Sequence, residues 1–231
     1  MDKKTKEDFL TGQILLIDKP INWTSFQAVN SLKWGIRKKF DLKKIKIGHA
    51  GTLDPLATGL LIICTGKFTK RIPELQGQTK EYTGTITLGA TTPSYDLETE
   101  IDKTYPTGHL TEELIKNTTS KFVGKIEQIP PIFSALKKDG KRLYEFAREG
   151  KKVEIKSRQI EIFEFEITKI QLPDVHFRVS CSKGTYIRSL AHDFGKTLNS
   201  GGHLSALRRT KIGDYNVNNA TSPDSFKENM L

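Results

Sequence analysis

The sequence has few of the residues that build disulfide frameworks or metal sites. Its 2 cysteines, Cys64 and Cys181, stand far apart, and neither belongs to a CxxC pair. A disulfide framework or a structural zinc site is therefore not expected. The 5 histidines show no HExxH spacing or other close pairing, so no metal site is predicted. Apolar and polar residues alternate from Val175 through Phe177 and Val179 to Cys181. This pattern indicates that Cys181 lies on the buried face of a strand.

Long apolar runs and excess acidic charge are lacking too. No run approaches the roughly 20 residues of a spanning helix, and the N-terminal segment MDKKTKEDFL is charged where a signal peptide would be apolar. We therefore expect a soluble, cytoplasmic protein. Lys and Arg number 37 against 27 Asp and Glu, which gives a net charge of +10. This excess predicts a polyanionic partner, and composition alone leaves nucleic acid and anionic membranes open.

Apolar spacing predicts strands and helices interspersed without a regular βαβ alternation. Thr24 with Gln27 three residues later indicates a capping box, and so a helix that ends in the basic cluster Arg37–Lys39. Within Gln159–Ile170 the apolar phase shifts after Ile162, as a β-bulge would require. The fold class predicted is α+β, with a mixed, largely antiparallel central sheet and flanking helices. Further strands are predicted at Gln13–Asp18, Leu60–Cys64, Lys80–Leu88 and 174–182, and further helices at Thr111–Phe122, Lys141–Glu149 and 187–198.

The segment GHAGTLDPLATGLL, at residues 48–61, concentrates three glycines, a proline and an acid directly before an apolar run. Glycine permits backbone geometry closed to other residues, and Pro55 restricts Asp54 to extended conformations. The carboxylate of Asp54 is therefore expected on a stiff loop, where functional residues are common. From these residues alone, a tight turn in which Asp54 bonds neighbouring amides is the simpler interpretation.

The same segment resembles the catalytic motif of the TruB family of tRNA pseudouridine synthases. Motifs in the family's order across most of the chain are far more specific than one match. The resemblance implies a pseudouridine synthase fold and an enzyme that isomerises a uridine to pseudouridine in the T loop of tRNA. It continues through Lys80-Glu81-Tyr82, IEQIPPIFSALKKDGKRLYEFAREG at 126–150, CSKGTYIRSL at 181–190 and Leu207-Arg208-Arg209.

The resemblance implies roles for individual residues. Asp54 is implied to be the essential catalytic aspartate, Arg188 to pair with its carboxylate, and Tyr82 to stack on the target base. Lys19 resembles the family's first basic motif and is implied to bind substrate, although a solvated turn lysine also fits its sequence context. Three further residues are implied to bind substrate. His49 is implied to fill the space that flipped nucleotides vacate, and Tyr186 and Leu207 are implied to line the pocket.

The chemistry gives these residue types an independent reason. The glycosidic C–N bond breaks, the base turns and rejoins through carbon without redox change or hydrolysis, so no cofactor is predicted. One carboxylate must act at the sugar, and its role as nucleophile at C1′ or base at C2′ stays open. Because the target base must leave its stack, a platform such as Tyr82 offsets part of that free energy, about 1–3 kcal/mol per base. A cation such as Arg188 favours the ionised carboxylate.

The resemblance also predicts the organisation of the chain. Residues 1–231 are expected to form a single catalytic domain with a thumb-like RNA-binding insertion at about 124–152. The segment after Arg209 is too short for the C-terminal PUA domain of many relatives, so none is expected. We expect a monomer that binds the T-arm stem-loop of tRNA and neither membrane nor metal. Thr92-Pro93-Ser94, followed by Asp96, departs from the relatives' Thr-Asp-Thr run, and the role of this loop stays open.

Two rival functions are weaker. A non-catalytic RNA-binding protein has no need of the set formed by Asp54, Tyr82, Tyr186 and Arg188. A phosphate-handling enzyme is suggested by Gly59 followed by Gly66-Lys67, but the spacing of the two glycines does not fit GxxxxGK[ST], and Phe68 stands where Ser or Thr is needed. Basic clusters could line a phosphate track or be solvated faces. They lie at Arg37–Lys39, Lys43–Lys46, Lys137–Arg142, Lys151–Lys152 and Arg208–Lys211.

Overall fold

Helices and strands are interspersed along the chain in the computed structural model, which describes residues 3–151 and 153–229. No helix in this described part is long and apolar enough to cross a membrane. The helices are α1 (Lys6–Thr11), α2 (Ser25–Phe40), α3 (Ile72–Gly77), α4 (Glu112–Thr118), α5 (Leu143–Arg148), α6 (Ile187–Thr197) and α7 (Pro223–Asn229). The strands are β1 (Ile14–Lys19), β2 (Ile47–His49), β3 (Ala57–Thr65), β4 (Lys80–Leu88), β5 (Ala90–Thr91), β6 (Lys103–Thr104), β7 (Gly124–Gln128), β8 (Lys137–Lys138), β9 (Lys141–Arg142), β10 (Arg158–Gln171), β11 (Asp174–Cys181), β12 (Gly202–Ile212) and β13 (Tyr215–Asn216).

Three local predictions are confirmed by hydrogen bonds and burial. The side chain of Thr24 accepts from the N–H of Gln27, and that of Gln27 accepts from the N–H of Thr24, which is the predicted capping box of α2. The register of β10 against β11 shifts between Ile162 and Glu164, where the apolar phase changes. Cys181 is 1% exposed on β11 and therefore belongs to the core.

The chain divides into two compact units. The first comprises Met1–Tyr82 and Leu207–Leu231, and the second comprises Thr83–Ala206. Such units describe how contacts cluster and do not distinguish one domain from two. The single catalytic domain therefore stays a prediction.

Strand β3 is the centre of the first unit. β1 pairs antiparallel with it, β2 pairs antiparallel with its end, and the C-terminal part of β12 pairs parallel with its start, where Leu207 lies opposite Ala57. Because eight of its nine residues are buried, β3 has an almost unbroken apolar sequence. Helix α2 contributes Leu32 and Ile36 to a core that includes Leu61 of β3 and Phe226 of α7.

Strand β10 is the longest strand of the second unit, and it pairs antiparallel with both β7 and β11. Four rings, with centroids 5.4–6.2 Å apart between neighbours, join α6 to this sheet. Such tilted and edge-on contacts stabilise one arrangement of the rings, and so fix how α6 packs on this sheet. The pairings in the two units confirm the α+β class with mixed, largely antiparallel strands. The rings are those of Phe122, Phe165, Phe177 and Phe194.

Gly59 is required where β3 runs beside β12. Its φ is +102°, and a Cβ built there would lie 2.3 Å from the carbonyl oxygen of Arg209 and 2.8 Å from its nitrogen. Because the obstruction is backbone, no rotamer change relieves it. We expect Gly59→Ala to lower the free energy of unfolding by about 2–4 kcal/mol in urea denaturation.

The matched control is Gly77→Ala at the last residue of α3. A Cβ there has no atom within 4 Å, and alanine favours the helix by up to about 1 kcal/mol. If Gly59→Ala changed the free energy of unfolding no more unfavourably than Gly77→Ala does, the close approach of the two strands would be contradicted.

Candidate active site

The loop that carries Asp54 joins β2 to β3, and its backbone is held on both sides. The N–H of Ala50 donates to the carbonyl of Ile62 over 2.9 Å, and the N–H of Ala57 donates to the carbonyl of Asp54 over 3.1 Å. The hydroxyl of Ser25, at the start of α2, accepts from the N–H of Leu53 over 2.8 Å and lies 3.2 Å from its carbonyl oxygen. The half-buried Asp54 therefore projects from a fixed backbone.

Arg209 is a second support of this loop. Its guanidinium is 1% exposed and donates to the carbonyls of Leu60, Gly51 and Thr52 over 2.8, 3.0 and 3.4 Å. A buried charge is unfavourable unless its donors are used, so these carbonyls stabilise the arginine while the arginine fixes the loop. The sequence analysis placed Arg209 at the end of a family motif and in the basic cluster Arg208–Lys211, and missed its role in holding the loop.

Lys19, predicted as a substrate-binding residue, is fully buried. Its ammonium donates to the carbonyls of Trp23, Pro20 and Pro55 over 2.6, 2.9 and 3.4 Å. The alternative of a solvated turn lysine therefore does not hold. Burial lowers the pKa of Lys19 to about 8, the Asp54 carboxylate raises it, and the Arg209 guanidinium lowers it. The ammonium thus contacts the backbone beside Asp54, and a contact with RNA stays a prediction.

The other predicted residues of the first unit are His49, Leu207 and Tyr82. His49 is half-buried on β2, and its pKa is lowered by burial and then by the Arg209 guanidinium, so the imidazole is neutral at pH 7. Leu207 is half-buried beside Ala57, where the loop ends. Tyr82 is 9% exposed on β4. Their contacts with a nucleotide stay predictions.

In the second unit, the start of α6 carries Tyr186 and Arg188. The side chain of Gln128 accepts from the N–H of Tyr186 over 2.8 Å and donates to its carbonyl over 3.1 Å. The guanidinium of Arg158 lies over the Tyr186 ring, 5.5 Å from its centroid, which stabilises the ring's position. Gln128 belongs to one of the motifs that resemble the family, but the sequence analysis assigned it no role.

Arg188 is 4% exposed and is held by the loop that departs from the relatives' pattern. Its Nη1 donates to the carbonyl of Ser94 over 3.3 Å, and its Nε lies 3.6 Å from Oδ2 of Asp96. The loop whose role was open therefore supplies a buried acidic partner to Arg188. Among the described residues, no cluster of His, Cys, Asp and Glu side chains could hold a metal ion.

A family profile defines the chain as a pseudouridylate synthase, a class of isomerase. The sequence profile described as TruB family pseudouridylate synthase (N terminal domain) matches residues 37–187, and tRNA pseudouridylate synthase B C-terminal domain matches residues 188–231. The chain belongs to the TruB family. The family and enzyme class predicted from the sequence are confirmed.

Similar proteins extend over the whole chain. The tRNA pseudouridine synthase B of Flavobacterium johnsoniae is 67% identical over 98% of this chain and 99% of its own length. That of Phocaeicola vulgatus is 57% identical over 96% of this chain and 94% of its own. These shares show that the two relatives and this chain correspond over nearly their full lengths.

Solved structures confirm the pseudouridine synthase fold. A chain of a Cbf5-Nop10-Gar1 complex superposes with a TM-score of 0.70 at 29% identity, over 97% of this chain and 56% of that chain. A chain of an H/ACA RNP bound to a substrate RNA containing 2′-deoxyuridine gives 0.67 at 28% identity, over 95% and 53%. This chain therefore spans about half the length of those solved chains.

The pH dependence of activity tests whether Lys19 anchors the loop. We expect kcat/KM to decline as the pH rises through about 8, because the ammonium then loses its proton and part of its hold on the three carbonyls. Lys19→Met donates no hydrogen bond, so it should lower kcat/KM at neutral pH about tenfold and lack the alkaline decline. A decline of the same size in wild type and variant would contradict the anchoring role.

Stability should respond to pH in the opposite direction. Because the pKa of Lys19 is about 8 in the folded chain and 10.5 ordinarily, the unfolded chain binds more protons between these values. The contribution of Lys19 to the free energy of unfolding therefore rises as the pH increases across this window. Urea denaturation of wild type and Lys19→Met across the same pH range separates this effect from the loss of activity.

Proposed function

We propose that this protein isomerises a uridine in the T loop of tRNA to pseudouridine, with Asp54 as its catalytic carboxylate. The observation that carries the proposal is the loop of Asp54, held by Ser25, Lys19 and Arg209. Relatives that match nearly the whole chain are named tRNA pseudouridine synthase B, which supports tRNA as the substrate. We further propose a cytoplasmic, monomeric enzyme.

Asp54 acts at the sugar of the target uridine, either as nucleophile at C1′ or as base at C2′. Both roles require the carboxylate to be ionised and correctly placed. Arg188 is proposed as its cationic partner, since a charge-assisted hydrogen bond stabilises the carboxylate and restricts its direction. The buried contacts of Arg188 with Asp96 and Ser94 support this role, because they leave the guanidinium little freedom.

Three residues are proposed to receive the flipped nucleotide, and a fourth to replace it in the RNA. Tyr82 stacks on the base, while Tyr186 and Leu207 line the pocket. The neutral imidazole of His49 fills space that flipped nucleotides vacate. The double hydrogen bond from Gln128 supports the role of Tyr186, since a fixed platform loses less entropy when a base stacks on it.

The thumb-like segment is proposed to hold the T-arm stem. β8 and β9 form a two-stranded hairpin, and three of its four basic residues are exposed to solvent. Such side chains suit phosphates, which position the RNA without reading its sequence. The arginines of the adjoining α5 region lie over the ring of Tyr144, at 5.9 Å for Arg142 and 5.3 Å for Arg148.

Asp54→Asn tests the catalytic assignment. The variant keeps the shape of the side chain, and the loop is held through backbone groups, so RNA affinity should stay within about twofold. Turnover should fall by about 10³ or more, because the amide can act neither as nucleophile nor as base. The measurements are tritium release from tRNA labelled at C5 of uridine and filter binding of the same RNA.

The control is Asp41→Asn at the exposed C-terminal cap of α2. Asn tolerates the left-handed conformation found there, so turnover should equal that of wild type. Retention of more than a tenth of wild-type turnover by Asp54→Asn would remove Asp54 from the chemistry.

Two substitutions at Tyr82 separate its ring from its hydroxyl. Tyr82→Phe keeps the stacking surface and should bind RNA as wild type does. Tyr82→Leu should weaken binding by about 1–3 kcal/mol, the value of one stacked base. Equal affinities of the two variants in filter binding would show that Tyr82 does not stack on the RNA, and a lower turnover of Tyr82→Phe alone would assign its hydroxyl to proton transfer.

A further inference from the structure

The first unit contains a pocket of about 890 Å³ whose walls are strongly basic. Seven of its eleven lining residues are Lys or Arg, and none is Asp or Glu. We call it the basic pocket. Its cations are Lys33 and Arg37 on α2, Lys43, Lys44 and Lys46 before β2, and Lys67 and Lys70 after β3.

Within residues 3–151 and 153–229, the cations of the basic pocket have no acidic ion-pair partners. Among the residues that the structure describes, none of its lysines forms an ion pair, and Arg37 uses only its Nε, on the carbonyl of Leu42. Like charges gathered in one concave surface repel each other and destabilise the fold. An external polyanion is the partner that would relieve this repulsion.

The basic pocket lies at the far end of β3 from Ala57, whose N–H donates to the carbonyl of Asp54. The strand begins at Ala57, where the loop ends, and reaches Thr65, next to the Gly66 that lines the pocket. Eight residue steps of about 3.3 Å separate Ala57 from Thr65, so the two ends of β3 lie about 26 Å apart. This exceeds the Debye length of about 8–10 Å, so the pocket does not act on the reacting uridine.

The composition of the walls indicates what the pocket binds. Its uncharged lining residues are Leu10, Ile45, Gly66 and Thr69, so it offers no aromatic face on which a base could stack. Lysines are point charges on flexible stems, suited to phosphates at variable positions rather than to one rigid ligand. These features favour a nucleic-acid backbone over a free nucleotide.

We propose that the basic pocket binds the phosphates of the RNA helix that carries the target loop, at the opposite end of β3, about 26 Å in length, from the residue bonded to Asp54. The inference rests on the proposed function, since it takes the substrate to be a stem-loop in which the loop is modified. It assigns the pocket a sequence-independent role, in which phosphate contacts set the orientation of the helix. Only RNA with a sufficiently long stem can use both sites at once.

The test varies the length of the RNA stem. A duplex gains roughly 3 Å per base pair, so a stem of about 4 base pairs ends short of the pocket and one of about 12 base pairs passes it. The variant is Lys67→Glu/Lys70→Glu, at two exposed positions outside the catalytic loop. Affinity for both RNAs is measured by fluorescence anisotropy at about 0.1 M salt.

We expect the variant to bind the long-stem RNA about tenfold more weakly and the short-stem RNA within about twofold of wild type. For the long stem, the log–log dependence of affinity on salt should flatten by about 1.4–1.8, from two phosphates at 0.7–0.9 each. The charge-matched control is Lys121→Glu/Lys169→Glu, at two exposed positions of the second unit. The affinity of this control variant for both RNAs should stay within about twofold of the wild-type affinity.

Three outcomes would overturn the proposal. One is equal weakening for both stems, which would reduce the pocket to a contributor to net charge. Another is unchanged affinity for both stems. The third is binding of inorganic tripolyphosphate that the variant abolishes without a change in long-stem affinity, which would assign the pocket to a small anion. Turnover of the short stem-loop, measured in parallel, reports on the proposed function separately.

Discussion

Two buried cations hold the loop of Asp54 through its own carbonyl groups. Lys19 and Arg209 are 0% and 1% exposed, and each donates to three carbonyls of this loop or of its immediate surroundings. Removing either cation would leave buried acceptors unsatisfied, at about 1–3 kcal/mol for each group. The conformation of the loop is therefore coupled to the packing of the first unit.

The same cations give the site its electrostatic character. Lys19 and Arg209 use carbonyls for their hydrogen bonds, which leaves their positive charge unneutralised by those partners. Asp54 acts on the pKa of Lys19, and Arg209 acts on the pKa of both Lys19 and His49, so these groups share one field. A carboxylate on this loop is thus placed where positive charge was already needed for folding.

Much of the local structure was predictable because it depends on neighbours in sequence. The capping box of α2 needs only Thr24 and Gln27, and the bulge of β10 follows from one change of apolar phase at Ile162. The family motif predicted Asp54 as the catalytic carboxylate, and this role stays a proposal. Strand β12 was missed, since Arg209 breaks the apolar alternation on its buried face and so resembles a surface residue.

The supports of the site could not be predicted, because each joins residues distant in sequence. Arg209 reaches Leu60 across 149 positions, and Gln128 reaches Tyr186 across 58. In neither pair does the sequence pattern around one residue indicate which residue is its partner. Asp96 shows the limit of a resemblance, since a departure from the family pattern left its role open until the structure placed it beside Arg188.

The most direct test of the central claim is to map pseudouridine in an unmodified tRNA transcript after incubation with the purified protein. Carbodiimide labelling followed by primer extension reports the modified position, and mass spectrometry confirms that the RNA mass is unchanged. The account predicts one new stop, at a T-loop uridine, with wild-type protein and none with Asp54→Asn. A stop outside the T loop, no stop with wild-type protein, or the same stop with the variant would contradict it.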